Sequence, residues 1–203
     1  MALLPESLNN LIEQFQKLPT IGRKSAERLA MSIVDRDEKS VIDFANSLIE
    51  VKNKIHHCQI CGNLTEDDIC NICKDFTRDE EHICIVEDVK NLIAIEKSHA
   101  YRGKYHVLGG LISPSDDIGP EKLNIDKLLK RIENENIKEI ILAISSTIEG
   151  ETTILFITNL LKNKNVKISK IAQGIPVGSN LEYFDQLTLE RALEDRRDIS
   201  DEI

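Results

Sequence analysis

The chain has 203 residues, is 41% hydrophobic and 30% charged, and carries a formal net charge of -9. That length holds one medium domain or two small ones, and the apolar share is enough to bury a core. The acidic balance excludes a protein that coats nucleic acid by bulk attraction, so any such contact is confined to a local patch. The charge is polarised: residues 1–34 carry four basic side chains against three acids, and residues 178–203 carry three arginines against eight acids. The opening stretch MALLPESLNNLIEQFQ has no basic leader followed by an apolar core. Nowhere does an apolar run approach the ~20 residues that cross a bilayer, so a cytoplasmic protein with no membrane partner is expected.

In chain order, residues 1–57 read as helical. ESLNNLIEQFQKL sets Leu8, Leu11, Ile12, Phe15 and Leu18 at helical spacing, and RKSAERLAMSIV and VIDFANSLIEVKNKI repeat the period. The first two helices meet at the short turn PTIG, with Gly22 just before the second. A glycine there permits a backbone that exposes successive N–H groups, and these, with the positive end of the following helix dipole, make a seat for a phosphate. Lys24 and Arg28 stand one helical turn apart and face the same way, whereas Arg23 points elsewhere. The segment LPTIGRKSAERLA resembles a helix-hairpin-helix, which grips a nucleic-acid backbone without reading bases. The plainer reading is an ordinary helical corner with solvated basic residues.

Residues 58–73, CQICGNLTEDDICNIC, place four of the five cysteines in two Cys-x-x-Cys pairs separated by eight residues. In a reducing compartment such pairs hold metal more often than they form disulfides. Each pair makes a tight knuckle that turns two sulfurs toward one ion, so Cys58, Cys61, Cys70 and Cys73 read as a closed, structural Zn²⁺ site. A redox dithiol needs only one pair, and an iron–sulfur cluster is the other centre that four thiolates hold. His56 and His57 adjoin the first knuckle but are not needed by a complete thiolate set. Cys84, in the apolar run ICIV, reads as a small buried hydrophobe.

Beyond the knuckles, the β-branched runs ICIVE, YHVL, EIILAI and VKISKIA alternate with the helical stretches VKNLIAIEKS, EKLNIDKLLKRIENEN and ETTILFITNLLKNK. That alternation predicts an α/β fold with a mainly parallel sheet and crossover helices. There is no internal repeat and no low-complexity linker.

The helix-hairpin-helix, the four-cysteine segment, the stretch ICIVEDVKNLIAIEKSHAYRGKYHVLGGLISP and the tail IPVGSNLEYFDQLTLERAL occur in an order that resembles the bacterial RecR recombination mediators over essentially the whole chain. The resemblance implies a helical DNA-binding region over 1–57, a zinc finger over 58–73, a Toprim domain over 81–177 and a C-terminal helical tail over 178–203. It further implies a homo-oligomer, a dimer or a tetramer ring, that binds gapped DNA and acts with RecO and RecF in recombinational repair without being an enzyme.

Catalytic Toprim domains hold Mg²⁺ with a glutamate after the first strand and an Asp-x-Asp pair after a later one. Glu87 in IVED supplies the glutamate, but by the resemblance the pair falls on Ser145, Ser146 and Thr147. Hydroxyls are poor ligands for a hard dication. The RecR pattern itself has Asn-Pro-Thr there, so this chain departs from both. Glu149 and Glu151 stand nearby and leave weak metal binding with Glu87 open. A Toprim nuclease, primase or topoisomerase is therefore the runner-up, and it lacks its acidic pair. A topoisomerase also needs a tyrosine nucleophile, and nothing near Tyr101, Tyr105 or Tyr183 suggests an activated one. The absence of a Gly-x-x-x-x-Gly-Lys-Ser/Thr loop leaves an ATPase without support. A third reading is a zinc-bearing protein adaptor that never touches DNA.

Overall fold

The structure is a computed structural model, and the residues it describes are 4–196. Its chain divides into two compact units, Met1–Ile55 and His56–Ile203. In the first, α1 (Glu6–Gln16) packs against α2 (Arg23–Val34), and α3 (Glu38–Lys54) follows. The core between α1 and α2 is small. It consists of Ile12, Ala26 and Ala30, with Leu4, Leu8, Leu11, Phe15 and Ile21 partly buried around them. The two alanines let the helices approach closely. Asp37 caps α3, its side chain accepting from the Ser40 backbone N–H, yet none of the 17 residues of α3 is buried.

The second unit opens with a two-stranded antiparallel ribbon, β1 (His56–His57) against β2 (Leu64–Thr65), and the short helix α4 (Asn71–Lys74). A four-stranded sheet follows, in the order β4-β3-β5-β6, with every neighbouring pair parallel. Its strands are β3 (Asp79–Val86), β4 (Gly103–Val107), β5 (Glu139–Ala143) and β6 (Lys167–Lys170). The crossover helices are α5 (Val89–Ser98), α6 (Ile125–Asn134) and α7 (Ile148–Leu161), and α8 (Gln186–Glu194) lies in the tail.

Side chains alternate across the sheet, and the two faces have separate cores. Ile83, Ile85, Ile140 and Leu142 face α6 and α7, where Leu128, Ile157 and Leu161 meet them. Cys84, Val86, Tyr105 and Val107 face α5 through Leu92. Each such fully buried aliphatic side chain stabilises the fold by roughly 1.5–3 kcal/mol. Right-handed crossovers explain the two faces. From β3 the chain steps one way to β4 and then back past β3 to β5, so α5 and α6 cover opposite sides. The strand order reverses between β3 and β5, which makes their C-terminal ends the switch point of the sheet.

Gly150 allows α7 to begin against β5, since a Cβ there would collide with the Ser145 carbonyl oxygen. The expected strands and helices all occur, with ends shifted by a few residues. α6 is shorter than the helical stretch 121–136, because Pro120–Lys122 forms a separate 3-10 turn before Asn124. Residues 197–203 of the acidic tail lie outside the described residues. Among the described residues no helix is long and apolar enough to cross a membrane.

Candidate functional site

The knuckles bring all four predicted thiols together. Single ligand atoms of Cys58, Cys61, Cys70 and Cys73 lie within 4.8 Å of one another, with Cys61 Sγ 3.5 Å from Cys70 Sγ. Bonds of about 2.3 Å in tetrahedral geometry place sulfurs a little under 4 Å apart, so the set fits Zn²⁺. Among the described residues it is the only cluster of this kind. Backbone bonds set the first knuckle: Gly62 N–H donates to the Cys58 carbonyl at 3.0 Å, and Cys58 N–H to the Asn63 carbonyl at 2.6 Å. The Cys70 N–H donates to Cys58 Sγ at 3.3 Å, tying the second knuckle to the first. Gly62 has φ +78, and a Cβ there would meet the Val107 carbonyl oxygen at 3.1 Å, so glycine is required.

Hydrogen bonding to Cys70, with burial, pushes the Cys61 thiol up to about 12, and bonding to Cys61 and Cys70 pushes Cys73 up as well. Cys70, bonded by both neighbours, is held well down. Thiols crowded this way need a dication to ionise together. His56 and His57 are exposed and outside the thiol set, and the His57 ring bonds the Gly62 carbonyl at 2.9 Å. Cys84 is buried, and desolvation pushes its thiol up to about 12, as suits an inert core residue.

The knuckles pack within the same unit as the sheet. Val107 N–H donates to the Cys61 carbonyl at 2.7 Å, and Asn124 Nδ2 donates to the Val107 carbonyl at 3.1 Å.

In the hairpin, Ile21 N–H closes a turn on the Leu18 carbonyl at 3.3 Å. The left-handed residue is Thr20, at φ 68, and not the glycine. Gly22 is the N-cap of α2 at φ −79 and ψ 170, an extended backbone open to any residue. What glycine does there is leave space, since a Cβ would meet nothing within 4 Å. No side chain caps α2 and no acid stands in its first turn, so its leading N–H groups have no capping side chain. Lys24 and Arg28 are exposed and neither forms an ion pair among the described residues. Arg23 differs from them through Glu27, which its Nε reaches at 2.9 Å.

At the sheet's switch point, Glu87 follows β3. Its carboxylate accepts from Ser145 Oγ at 2.9 Å and from the Ser145 N–H at 3.3 Å. Thr147 caps α7, its Oγ1 accepting from Gly150 N–H at 3.1 Å. Asp88 caps α5 by accepting from Asn91 N–H at 2.9 Å. Glu151 pairs with Lys170 at 2.6 Å, which holds its carboxyl below the usual range. Glu87 thus meets hydroxyl and amide donors where a catalytic Mg²⁺ needs further carboxylates, and the residues present do not fit that ion. The weak site with Glu149 or Glu151 gains no support, as no such cluster occurs among the described residues. Tyr101 and Tyr105 are packing residues: their rings meet edge-on at 5.2 Å, and burial pushes both phenols up from the usual range.

Sequence reasoning missed four features here. These are the left-handed Thr20, the Ser145 bond to Glu87, the capping Thr147 and a buried ammonium at Lys104 behind Cys73. Only the cap carried a local signal, a threonine three residues before Gly150 at the start of an apolar helix.

Together the hairpin, the thiol cluster and the sheet define a class: a zinc-bearing helix-hairpin-helix protein with a Toprim fold. Comparison with known families agrees region by region. Residues 8–52 match the RecR helix-hairpin-helix family model, 55–75 the RecR four-cysteine zinc finger domain, 81–172 the Toprim domain and 174–197 the RecR C-terminal region. The chain is 50% identical over 201 residues to "Recombination protein RecR" of Finegoldia magna, covering 98% of this chain and 100% of that one. It belongs to the RecR family, and the ion of its thiol cluster is zinc.

Proposed function

We propose that the protein is a non-catalytic, DNA-binding mediator of recombinational repair that acts on gapped DNA together with RecO and RecF. The carrying observation is the pair Lys24 and Arg28, exposed, unpaired among the described residues and one turn apart on a helix whose N-terminus no side chain caps. Gly22 leaves the approach to that end open, so a phosphate can reach the N–H groups while the two cations neutralise its charge. Such interactions hold a backbone without selecting bases. In this reading residues 1–57 bind DNA and zinc on Cys58, Cys61, Cys70 and Cys73 holds 58–73. The Toprim domain over 81–177, with Glu87 at its switch point, docks protein partners, and 178–203 is a tail.

A chain of charge -9 with one small basic patch needs several copies to hold DNA well. Val41, Phe44, Leu48 and Val51 form a stripe along α3 at three- and four-residue spacing, and Leu48 is 60% exposed. This exposed stripe supports a dimer or tetramer in which a second copy covers it and the N-terminal helices form an interface. Glu87 accepts from the Ser145 hydroxyl where a catalytic site needs further carboxylates, which supports a non-catalytic role, and cysteines gathered as zinc ligands suit the cytoplasm.

The test is fluorescence anisotropy on single-stranded, double-stranded and gapped DNA across a salt series, with the same DNA then analysed for cleavage in Mg²⁺ or Mn²⁺. Salt-sensitive binding with intact DNA is expected. Cleavage that disappears in Glu87→Gln would establish a Toprim enzyme instead, and no binding at any salt would establish the adaptor.

A further inference from the structure

Lys104 on β4 is 5% exposed, and backbone carbonyls lie closer to its ammonium than any carboxylate does. Nζ donates to three carbonyls of one short stretch, those of Ile72 at 3.3 Å, Cys73 at 3.1 Å and Asp75 at 2.9 Å. These are the carbonyls at and just past the end of α4, the helix that carries Cys73. The nearest carboxylate, Glu80, is 3.7 Å away and 67% exposed at its side chain. A buried ammonium costs several kcal/mol in lost hydration unless negative charge lies close. One distant, solvated glutamate offsets little of that, and carbonyl dipoles offset part of it. Four thiolates on one Zn²⁺ carry a net charge of roughly −2, and Cys73 is one of the four. Cys73 is also the only one of the four that is not fully buried. It lines, with Lys104, a cavity of about 450 Å³ whose wall includes Glu80, Arg131 and Glu135.

We propose that Lys104 is a positioning residue for the zinc centre. It holds the Cys73 knuckle through three backbone carbonyls and supplies the countercharge to the tetrathiolate on the side where the cavity exposes it. Resting on the zinc assignment, it places the control of zinc retention on a strand residue 31 positions beyond the last ligand. The arrangement follows the rule that groups around the ligands tune how tightly a metal ion is held.

The experiment is zinc transfer from the purified full-length protein to a chromophoric chelator, with cobalt-substituted protein measured in parallel. Lys104→Met should weaken zinc retention by about 10- to 100-fold, the usual range for loss of such a partner, and move the thiolate-to-cobalt charge-transfer band. Lys104→Arg, which keeps the charge, should restore most of the retention and the band. Glu80→Gln should retain zinc as the parent does or better. Equal retention in Lys104→Met and the parent overturns the proposal, as does a band that moves equally in Lys104→Met and Lys104→Arg. If Lys104→Met does not fold, Lys104→Arg and Glu80→Gln decide: early zinc loss in both shows that the ammonium serves Glu80 and not the metal. A parent protein that holds no zinc refutes the zinc assignment itself, a distinct outcome.

Discussion

The two units of the chain solve the problem of burial differently. From His56 onward a sheet is covered on both faces by separate cores, the larger drawing on residues from Ile83 to Leu161, and a zinc centre closes the ribbon at its start. Before Ile55 only α1 and α2 share a core, of one isoleucine and two alanines, and the longest helix, α3, has no buried residue. Apolar area removed from water sets most of a domain's stability. The later unit therefore carries the larger core, whereas the earlier one leaves apolar and basic side chains exposed on its helices. In the proposed reading the partners are a second copy for the apolar stripe and DNA for the basic pair.

The largest expected effect breaks the stronger unit. Cys73→Ser removes one ligand from a centre whose binding free energy is also folding energy, on the order of 10 kcal/mol for structural zinc. Metal analysis should fall from about one zinc per chain to well below it, with the ribbon and β4 losing hydrogen-exchange protection while α1 to α3 do not change. Retained zinc with unchanged protection would separate the metal from the fold.

Acid should act on the same unit. His106 is fully buried and bonds the Asn124 carbonyl through Nε2 at 2.9 Å. Desolvation pushes its pKa down to about 4, with Arg131 and Lys127 adding to the shift. An unfolded histidine titrates near 6.5, so the unfolded chain binds a proton between about pH 6.5 and 4 that the folded chain refuses. Stability contributed by this group is present above that window and is lost as pH falls through it, by about 3 kcal/mol. Urea midpoints at pH 7 and pH 4.5 should therefore differ more in the parent than in His106→Gln, and equal differences would exclude the histidine.

Smaller effects sharpen the weaker unit. Leu48→Asp on α3 should weaken self-association by at least about 2 kcal/mol, the cost of losing a well-packed anchor. Light scattering should show smaller particles while thermal unfolding of the sheet unit stays unchanged; an unaltered assembly would place the interface elsewhere. Thr20→Gly should stabilise the helical unit by about 1 kcal/mol, because a β-branched residue at φ 68 is strained and glycine is not. A rise in the helical unit's urea midpoint checks it, and a fall would show that Thr20 makes a compensating interaction.

Much of this was legible in the sequence, for identifiable reasons. Cys-x-x-Cys spacing is a local constraint, so the ligands could be assigned before any fold was known. The alternation of β-branched runs with helical stretches pointed to the parallel sheet for the same reason. Strand order and the pairing of Glu87 with Ser145 depend on residues 58 apart, and no local pattern encodes them. Lys104 reads as a surface lysine in YRGKYHVL, and only the return of α4 over β4 buries it. The hairpin shows the opposite failure, since glycine was the obvious candidate for a left-handed turn and threonine holds it instead.

The central claim is that the helical unit grips DNA through Lys24 and Arg28, and one measurement tests it most directly. Anisotropy titrations of the Lys24→Ala, Arg28→Ala double variant across a salt series should show weaker binding to every DNA sequence. The slope of log affinity against log salt should flatten by roughly 0.9 for each duplex phosphate that the variant no longer neutralises. Zinc content and oligomeric state should stay the same, since both side chains are exposed and unpaired among the described residues. A double variant that binds like the parent, with the same slope, would contradict the account and leave the hairpin as a helical corner.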